Sequence, residues 1–356
     1  MKTERKSEVD LLRVIAMLFV IAIQTLMLAA QTAEVGVLLL TALLFASNGA
    51  FFMISGRFNL DKRFHSAGDI LKFYFKRLLT IVFPLLVTTT LMYVTDVLLH
   101  DRKVSLGWLY ASFMGSYANT HLWFVYVLIG LIFSTPILAK AVQNMDHGEL
   151  HILFALGLVW AAAKLFLAEV LGLHFPFSGW ILGGHAFLFF LGYYLHTTMN
   201  PKMKKWIYLA GIAGFVATVF FSYRAPDLIQ DMYGSAFPYI LYTMAFYTFI
   251  TEDVSIHRES VKRVITFLGK HSFTVYLIHW TVLYEAVPFA VGNLENPALD
   301  FFVRFTLTFL LSLCGAVAVD NLLFFPIQKK LMGLVERENA ALPRRQYAKA
   351  NQQARK

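Results

Sequence analysis

The stretch DLLRVIAMLFVIAIQT, Asp10 to Thr25, decides how this chain is read. An acid and an arginine open it. From Val14 to Ile23 every side chain is apolar, and then Gln24 interrupts the run. Continued to about residue 30, the segment reaches the roughly 20 apolar residues that span a bilayer as a helix. It raises a question of its own: why an apolar helix should carry Arg13 at its mouth and a carboxamide near mid-depth.

The rest of the chain repeats the pattern. Of its 356 residues, 58% are hydrophobic and 15% are charged, whereas a soluble domain carries about 25% charged residues. That balance argues against a soluble fold. Apolar runs fall near 10–30, 36–56, 78–99, 121–140, 150–171, 178–198, 204–222, 235–251, 273–291 and 301–325. The predicted fold class is therefore an all-α polytopic membrane protein, a single bundle of about ten transmembrane helices. The first run reads as the first of many spans, not as a cleavable signal peptide.

The net charge of +9 has a plain cause once the spans are drawn. Lys2, Arg5 and Lys6 precede the first run, and Arg57, Lys62, Arg63, Lys72, Lys76 and Arg77 follow the second. Lys140, the Lys202/Lys204/Lys205 group, the Arg258–Lys270 group and the basic tail fall on the same side. The alternate connections are poorer in basic residues. This alternation places both termini in the cytoplasm, and nucleic acid is not an expected partner. Residues 1–330 read as one membrane domain and 331–356 as a basic, partly disordered tail. Residues 68–77 read as a basic amphipathic helix on the inner surface. Cys314 stands alone, so no intrachain disulfide forms.

Polar groups inside lipid are costly and mark function by default. Arg13 can be a simple positive-inside anchor, with Asp10 three residues earlier as its partner. Gln24 lies about 16 Å further along the helix and on nearly the same face; it can be an interhelical hydrogen-bonding residue or part of a polar path. Ser55-Gly56, in FFMISGR (51–57), either breaks the second helix and turns backbone N–H groups toward an anion or caps it with glycine. His121, Trp123 and Tyr126 open the fourth run as HLWFVY, either as an aromatic belt or as a binding rim. Ser272, Tyr276 and His279 share a helical stripe, which points to a lined cavity. His185 and His196 are weaker candidates. The histidines read as scattered over several spans, with neither an HxxxH nor an HExxH motif expected, and no metal set emerges. No GxSxG elbow is present either.

Taken in order, DLLRVIA (10–16), FFMISG (51–56), Lys76-Arg77, HLWF (121–124), FLGYY (190–194) and SFTVYLIH (272–279) resemble the acyltransferase-3 family of bacterial inner-membrane O-acyltransferases. The resemblance covers nearly the whole chain. It implies an acyl group, usually acetyl, taken from cytoplasmic acyl-CoA as co-substrate and passed to a hydroxyl of a cell-envelope saccharide or glycolipid. Arg13, Ser55, Arg57 and Arg77 would then hold the donor. His121, Trp123, Tyr126, Ser272 and Tyr276 would meet the acceptor, and Asp10, Arg13, His279 and position 24 would serve the chemistry. The family pattern has Arg or Lys, ten residues and then His as the expected base; here the last position is Gln24. An amide cannot exchange a proton near neutral pH. A second departure is Arg77-Leu78-Leu79-Thr80, where the family often has R-x-x-R.

Gln24 is therefore a deliberate replacement of His, a natural residue in a member that binds without catalysis, or a bystander to another base such as His279 or His121. The well-kept surrounding motifs favour the first, and the expected consequence is a chain that binds acyl-CoA and transfers slowly. The competing reading is a non-catalytic exporter or flippase of an acylated glycan, which has no reason to bind acyl-CoA.

Overall fold

The computed structural model describes residues 7–29, 35–100, 103–113, 120–173, 183–224, 234, 236–292 and 294–334, and these contain helices and connections but no strand. The helices are α1 (Ser7–Ala29), α2 (Val35–Leu60), α3 (Ala67–Arg77), α4 (Phe83–Leu99), α5 (Leu106–Phe113), α6 (Trp123–Gln143), α7 (His147–Lys164), α8 (His185–Thr198), α9 (Pro201–Arg224), α10 (Phe237–Thr248), α11 (Glu259–Thr281), α12 (Val287–Ala290) and α13 (Pro297–Val319). Among the described residues, seven helical stretches are long and apolar enough to cross a membrane: Ser7–Leu28, Val35–Leu60, Ala67–Leu99, Trp123–Gln143, His147–Leu167, Pro201–Arg224 and Pro297–Leu334. The chain is a multi-pass helical membrane protein. The span expected at 178–198 falls on α8, that at 235–251 on α10 and the turn after it, and that at 273–291 on the second half of α11, the Val282–Ala286 turn and α12. Residues 178–182 lie outside the described residues, as does nearly all of the tail at 331–356.

The amphipathic helix expected at 68–77 is present as α3. Ser66 caps it, accepting from the Asp69 amide while the Asp69 carboxylate takes the Ser66 amide. This reciprocal capping box satisfies N–H groups that a helix start otherwise leaves unpaired. α3 does not end as a separate helix. A wide π-helical turn, Leu78–Val82, carries it straight into α4. Similar turns at Val282–Ala286 and Asp320–Phe324 have the same cause. Each ends two residues before a proline: Pro84, Pro288 or Pro326. Proline has no N–H, and its ring collides with the carbonyl four residues back. Widening the turn moves that carbonyl aside, and the residue before each proline bonds five residues back instead, as Phe83 does to Leu78.

α2 sits at the centre, packed against α1, α6, α8, α9 and α10. Its Ser55-Gly56 neither breaks nor caps it, which corrects both sequence readings: α2 runs unbroken to Leu60. A Cβ built at Gly56 would collide with the Phe189 carbonyl oxygen of α8, and one at Gly192 of α8 would collide with the Met53 carbonyl of α2. The two motifs FFMISG and FLGYY are thus one crossing, in which reciprocal glycines bring two backbones together. α1 lies against α2, α11 and α13, so its polar face is turned inward.

Candidate active site

Two cavities lie end to end, and four helices, α1, α2, α6 and α11, line both. From the Arg13 end toward the Gln24 end, α1 contributes Arg13, then Gln24. α2, running the other way, contributes Asn59, Ser55, Phe51 and then Asn48. α11 contributes Ser272 and then Tyr276, and α6 contributes Leu128, Phe124 and then Trp123, with His121 just before it. The same order on all four helices fixes the axis. Tyr276 lines both cavities.

The basic cavity, about 260 Å³, contains Arg13, Ser55, Asn59, Arg77, Thr80 and Ser272 among its walls. Arg13 is held by buried Asp10 at 2.8 Å, one turn back on α1, and its guanidinium lies 5.4 Å over the Phe58 ring. Arg77 donates to the Asn59 side-chain oxygen and lies 5.3 Å over Phe73. The Arg77 Nε–H is buried without a hydrogen-bond partner. An unmet donor on a guanidinium, beside a second guanidinium close enough to repel it, is an arrangement that a phosphate satisfies. Buried Asn59 also donates to the Ser55 carbonyl at 2.8 Å and accepts from Lys62 Nζ at 3.4 Å, so one carboxamide orients two cations. Thr80, where an R-x-x-R pattern would place its second arginine, faces this same cavity.

The far cavity, about 460 Å³, contains Gln24, Asn48, His121, Trp123, His185 and Tyr276 among its walls. His121 is buried. Its ring is stacked 5.3 Å from Trp280, nearly parallel, and its Nε2 faces the Leu277 carbonyl at 3.4 Å. A carbonyl only accepts, so Nε2 carries the proton and Nδ1 keeps its lone pair; Nδ1 has no partner. The Tyr276 hydroxyl donates to the His121 backbone carbonyl, tying α11 to the start of α6. His185 packs 5.1 Å from Trp123 and 5.0 Å from Phe52, with its Nε2 buried and unpartnered.

Other expected residues fall elsewhere. Arg57 is buried and lines neither cavity; its guanidinium lies beside the Tyr247 hydroxyl. Tyr126 lines neither, and its buried hydroxyl lacks a partner. His279 is fully buried behind His121, 5.1 Å away ring to ring, with Nδ1 bonded to the Tyr276 carbonyl at 2.6 Å. It too lines neither cavity. His196 is exposed. Asn59 was missed by sequence reasoning, although it stands one turn after Ser55 on the same face. His147 and His151, an HxxxH spacing that sequence reading passed over, open α7. Between them Glu149 is committed to a capping box with Asp146, and the His151 ring packs on Tyr194.

A family model described as an acyltransferase domain matches residues 6–320. The chain belongs to the acyltransferase-3 family. Every residue lining the two cavities lies inside the matched region. Acyltransferase-3 membership supports a membrane-associated acyltransferase activity in general and fits the use of an acyl-CoA donor. Comparison with curated proteins and with solved structures gave no significant match.

Proposed function

We propose that this chain is a bacterial inner-membrane O-acyltransferase. In this reading about ten spans place both termini in the cytoplasm. The chain moves an acyl group, acetyl in the first instance, from cytoplasmic acyl-CoA to a hydroxyl of an envelope saccharide or glycolipid. The observation that carries it is the pair of cavities meeting at Tyr276, one holding Arg13 and Arg77 and the other Gln24, Asn48, His121 and Trp123, groups that suit a sugar. The CoA phosphates sit on Arg13 and Arg77, and the thioester points toward Tyr276. The acceptor lies against Trp123, with its hydroxyl among Gln24, Asn48 and His121. Attack forms the ester C–O bond and breaks the thioester C–S bond; the hydroxyl proton leaves to a base, and the CoA thiolate takes up a proton on release. Gln24 cannot be that base, so turnover is held low. Binding of radiolabelled acetyl-CoA to the purified chain separates this reading from export without chemistry, which predicts no binding.

Arg77→Met is expected to weaken CoA binding about 10- to 100-fold, the effect of losing hydrogen bonds to a charged group worth about 1.5–3 kcal/mol. Equilibrium binding of radiolabelled CoA to the purified chain measures it. Unchanged affinity would remove Arg77 from the donor site.

Donor binding is also expected to depend on pH through Lys62, which lies between α2 and α3. Burial, and then the neighbouring charges of Arg77 and Lys76, push its pKa down to about 8. Below pH 8 the ammonium adds a positive charge beside Arg77. Above it the group is neutral, so affinity for the CoA phosphates falls several-fold as pH rises through about 8. Lys62→Met flattens that profile if the assignment is correct. The sign for folding is opposite. A lysine with a folded pKa below its unfolded one disfavours the fold when protonated, and the chain gains stability between about pH 8 and 10.5.

A further inference from the structure

Between the basic cavity and the far cavity stands a cluster of three rings. Phe51 of α2, Phe124 of α6 and Tyr276 of α11 lie at centroid separations of 5.7 Å (Phe51–Phe124), 5.7 Å (Phe124–Tyr276) and 6.4 Å (Phe51–Tyr276). All three line the basic cavity, and only Tyr276 reaches the far one. The arginines and Asn59 lie at the opposite end of that cavity. A donor anchored there by its phosphates therefore has its acyl end against the rings.

Tyr276 is the ring least free to move. It is buried, its hydroxyl is bonded to the His121 carbonyl, and its own carbonyl is bonded to His279 at 2.6 Å. Each ring therefore contacts two others from different helices, and displacing one disturbs the junction of α2, α6 and α11. Close-packed aromatic contacts of this kind are stiff.

Resting on the acyltransferase reading, we propose that this ring cluster sets the acyl length the site accepts, and that Tyr276 is the residue that decides it. Acetyl- and propionyl-sized groups fit against the rings. Longer chains meet the Tyr276 ring before the phosphates are seated. The ring, not the hydroxyl, is the barrier, because the hydroxyl is turned to the His121 carbonyl and makes no wall of its own.

The experiment is displacement of radiolabelled CoA from the purified full chain by free CoA and by acetyl-, butyryl- and octanoyl-CoA. Each methylene that finds apolar room tightens binding about fourfold. The unmodified chain is expected to bind octanoyl-CoA more weakly than acetyl-CoA. Tyr276→Ala is expected to bind octanoyl-CoA on the order of tenfold or more tighter relative to acetyl-CoA, while Tyr276→Phe keeps the original profile. If Tyr276→Ala does not fold, Phe51→Ala opens the same cluster from α2. One profile of affinity against length in the unmodified chain and in the opened variants overturns the proposal while leaving CoA binding intact. Failure of free CoA to bind any form overturns the acyltransferase reading and this proposal together.

Discussion

Gln24→His is expected to raise acyl transfer about 10²–10⁴-fold, the usual worth of a positioned general base, without changing CoA affinity. The two halves of that expectation come from different places. Position 24 lines only the far cavity, so donor phosphates held, as proposed, on Arg13 and Arg77 would not sense it. A neutral imidazole in the same place as the carboxamide accepts the acceptor's hydroxyl proton as the C–O bond forms; the amide has no basic site for it. Release of CoA from radiolabelled acetyl-CoA, followed beside equilibrium binding, reads both. The structure also names the competitor. His121 lines the same cavity with an unpartnered Nδ1, whereas buried His279 does not reach it. If His121 is the working base, the unmodified chain turns over readily, Gln24→His changes little and His121→Gln abolishes transfer. That outcome would sink the claim that Gln24 limits this enzyme.

Gly192→Ala, together with Gly56→Ala, is expected to be among the most damaging glycine-to-alanine changes at the described residues. Its Cβ would meet the Met53 carbonyl of α2, and Gly56→Ala would meet the Phe189 carbonyl from the other side. Backbone oxygens cannot swing away as a side-chain tip can, so α2 and α8 must separate. Overpacking in a filled core costs about 1–3 kcal/mol and sometimes more, and here the strain falls on the central helix that also carries Phe51, Ser55 and Asn59. The expected result is a sharp fall in folded yield and a lower Tm in detergent for either variant. Gly130→Ala is the control. It lies in α6 with nothing within 4 Å of a built Cβ, and in a helix alanine is favoured over glycine by about 1 kcal/mol. Equal Tm values for Gly192→Ala and Gly130→Ala would show that the crossing is looser than it looks.

These two positions show how unevenly the chain can be read. Gln24 announced itself in the sequence, because an amide in an apolar run is conspicuous and its spacing from Arg13 puts both on one face. Gly56 was just as visible and was misread. As a letter near a helix end it suggests a cap or a break. Only the arrival of α8 turns it into the floor of a backbone contact. Arg57 and Asn59 are a similar pair. The arginine looked like the donor ligand, but two positions along a helix is more than half a turn, and Arg57 faces Tyr247 while Asn59 faces Arg77.

What the sequence alone determined was the class of molecule and a set of polar and aromatic residues that interrupt its apolar runs. Hydropathy counts residues along one chain, and the cost of a charge or amide in lipid does not depend on which helix comes next. Arg13, Gln24, His121, Trp123, Ser272 and Tyr276 followed from that cost and from helical spacing. What only the tertiary structure decided was which of them meet. The separation of one path into two cavities, the ring cluster at their junction, the hold of Asn59 on Arg77 and the withdrawal of His279 behind His121 all depend on which helix faces which. Periodicity says that two residues share a face. It does not say what is packed against that face, because interhelical packing is set by side-chain shapes on several segments at once.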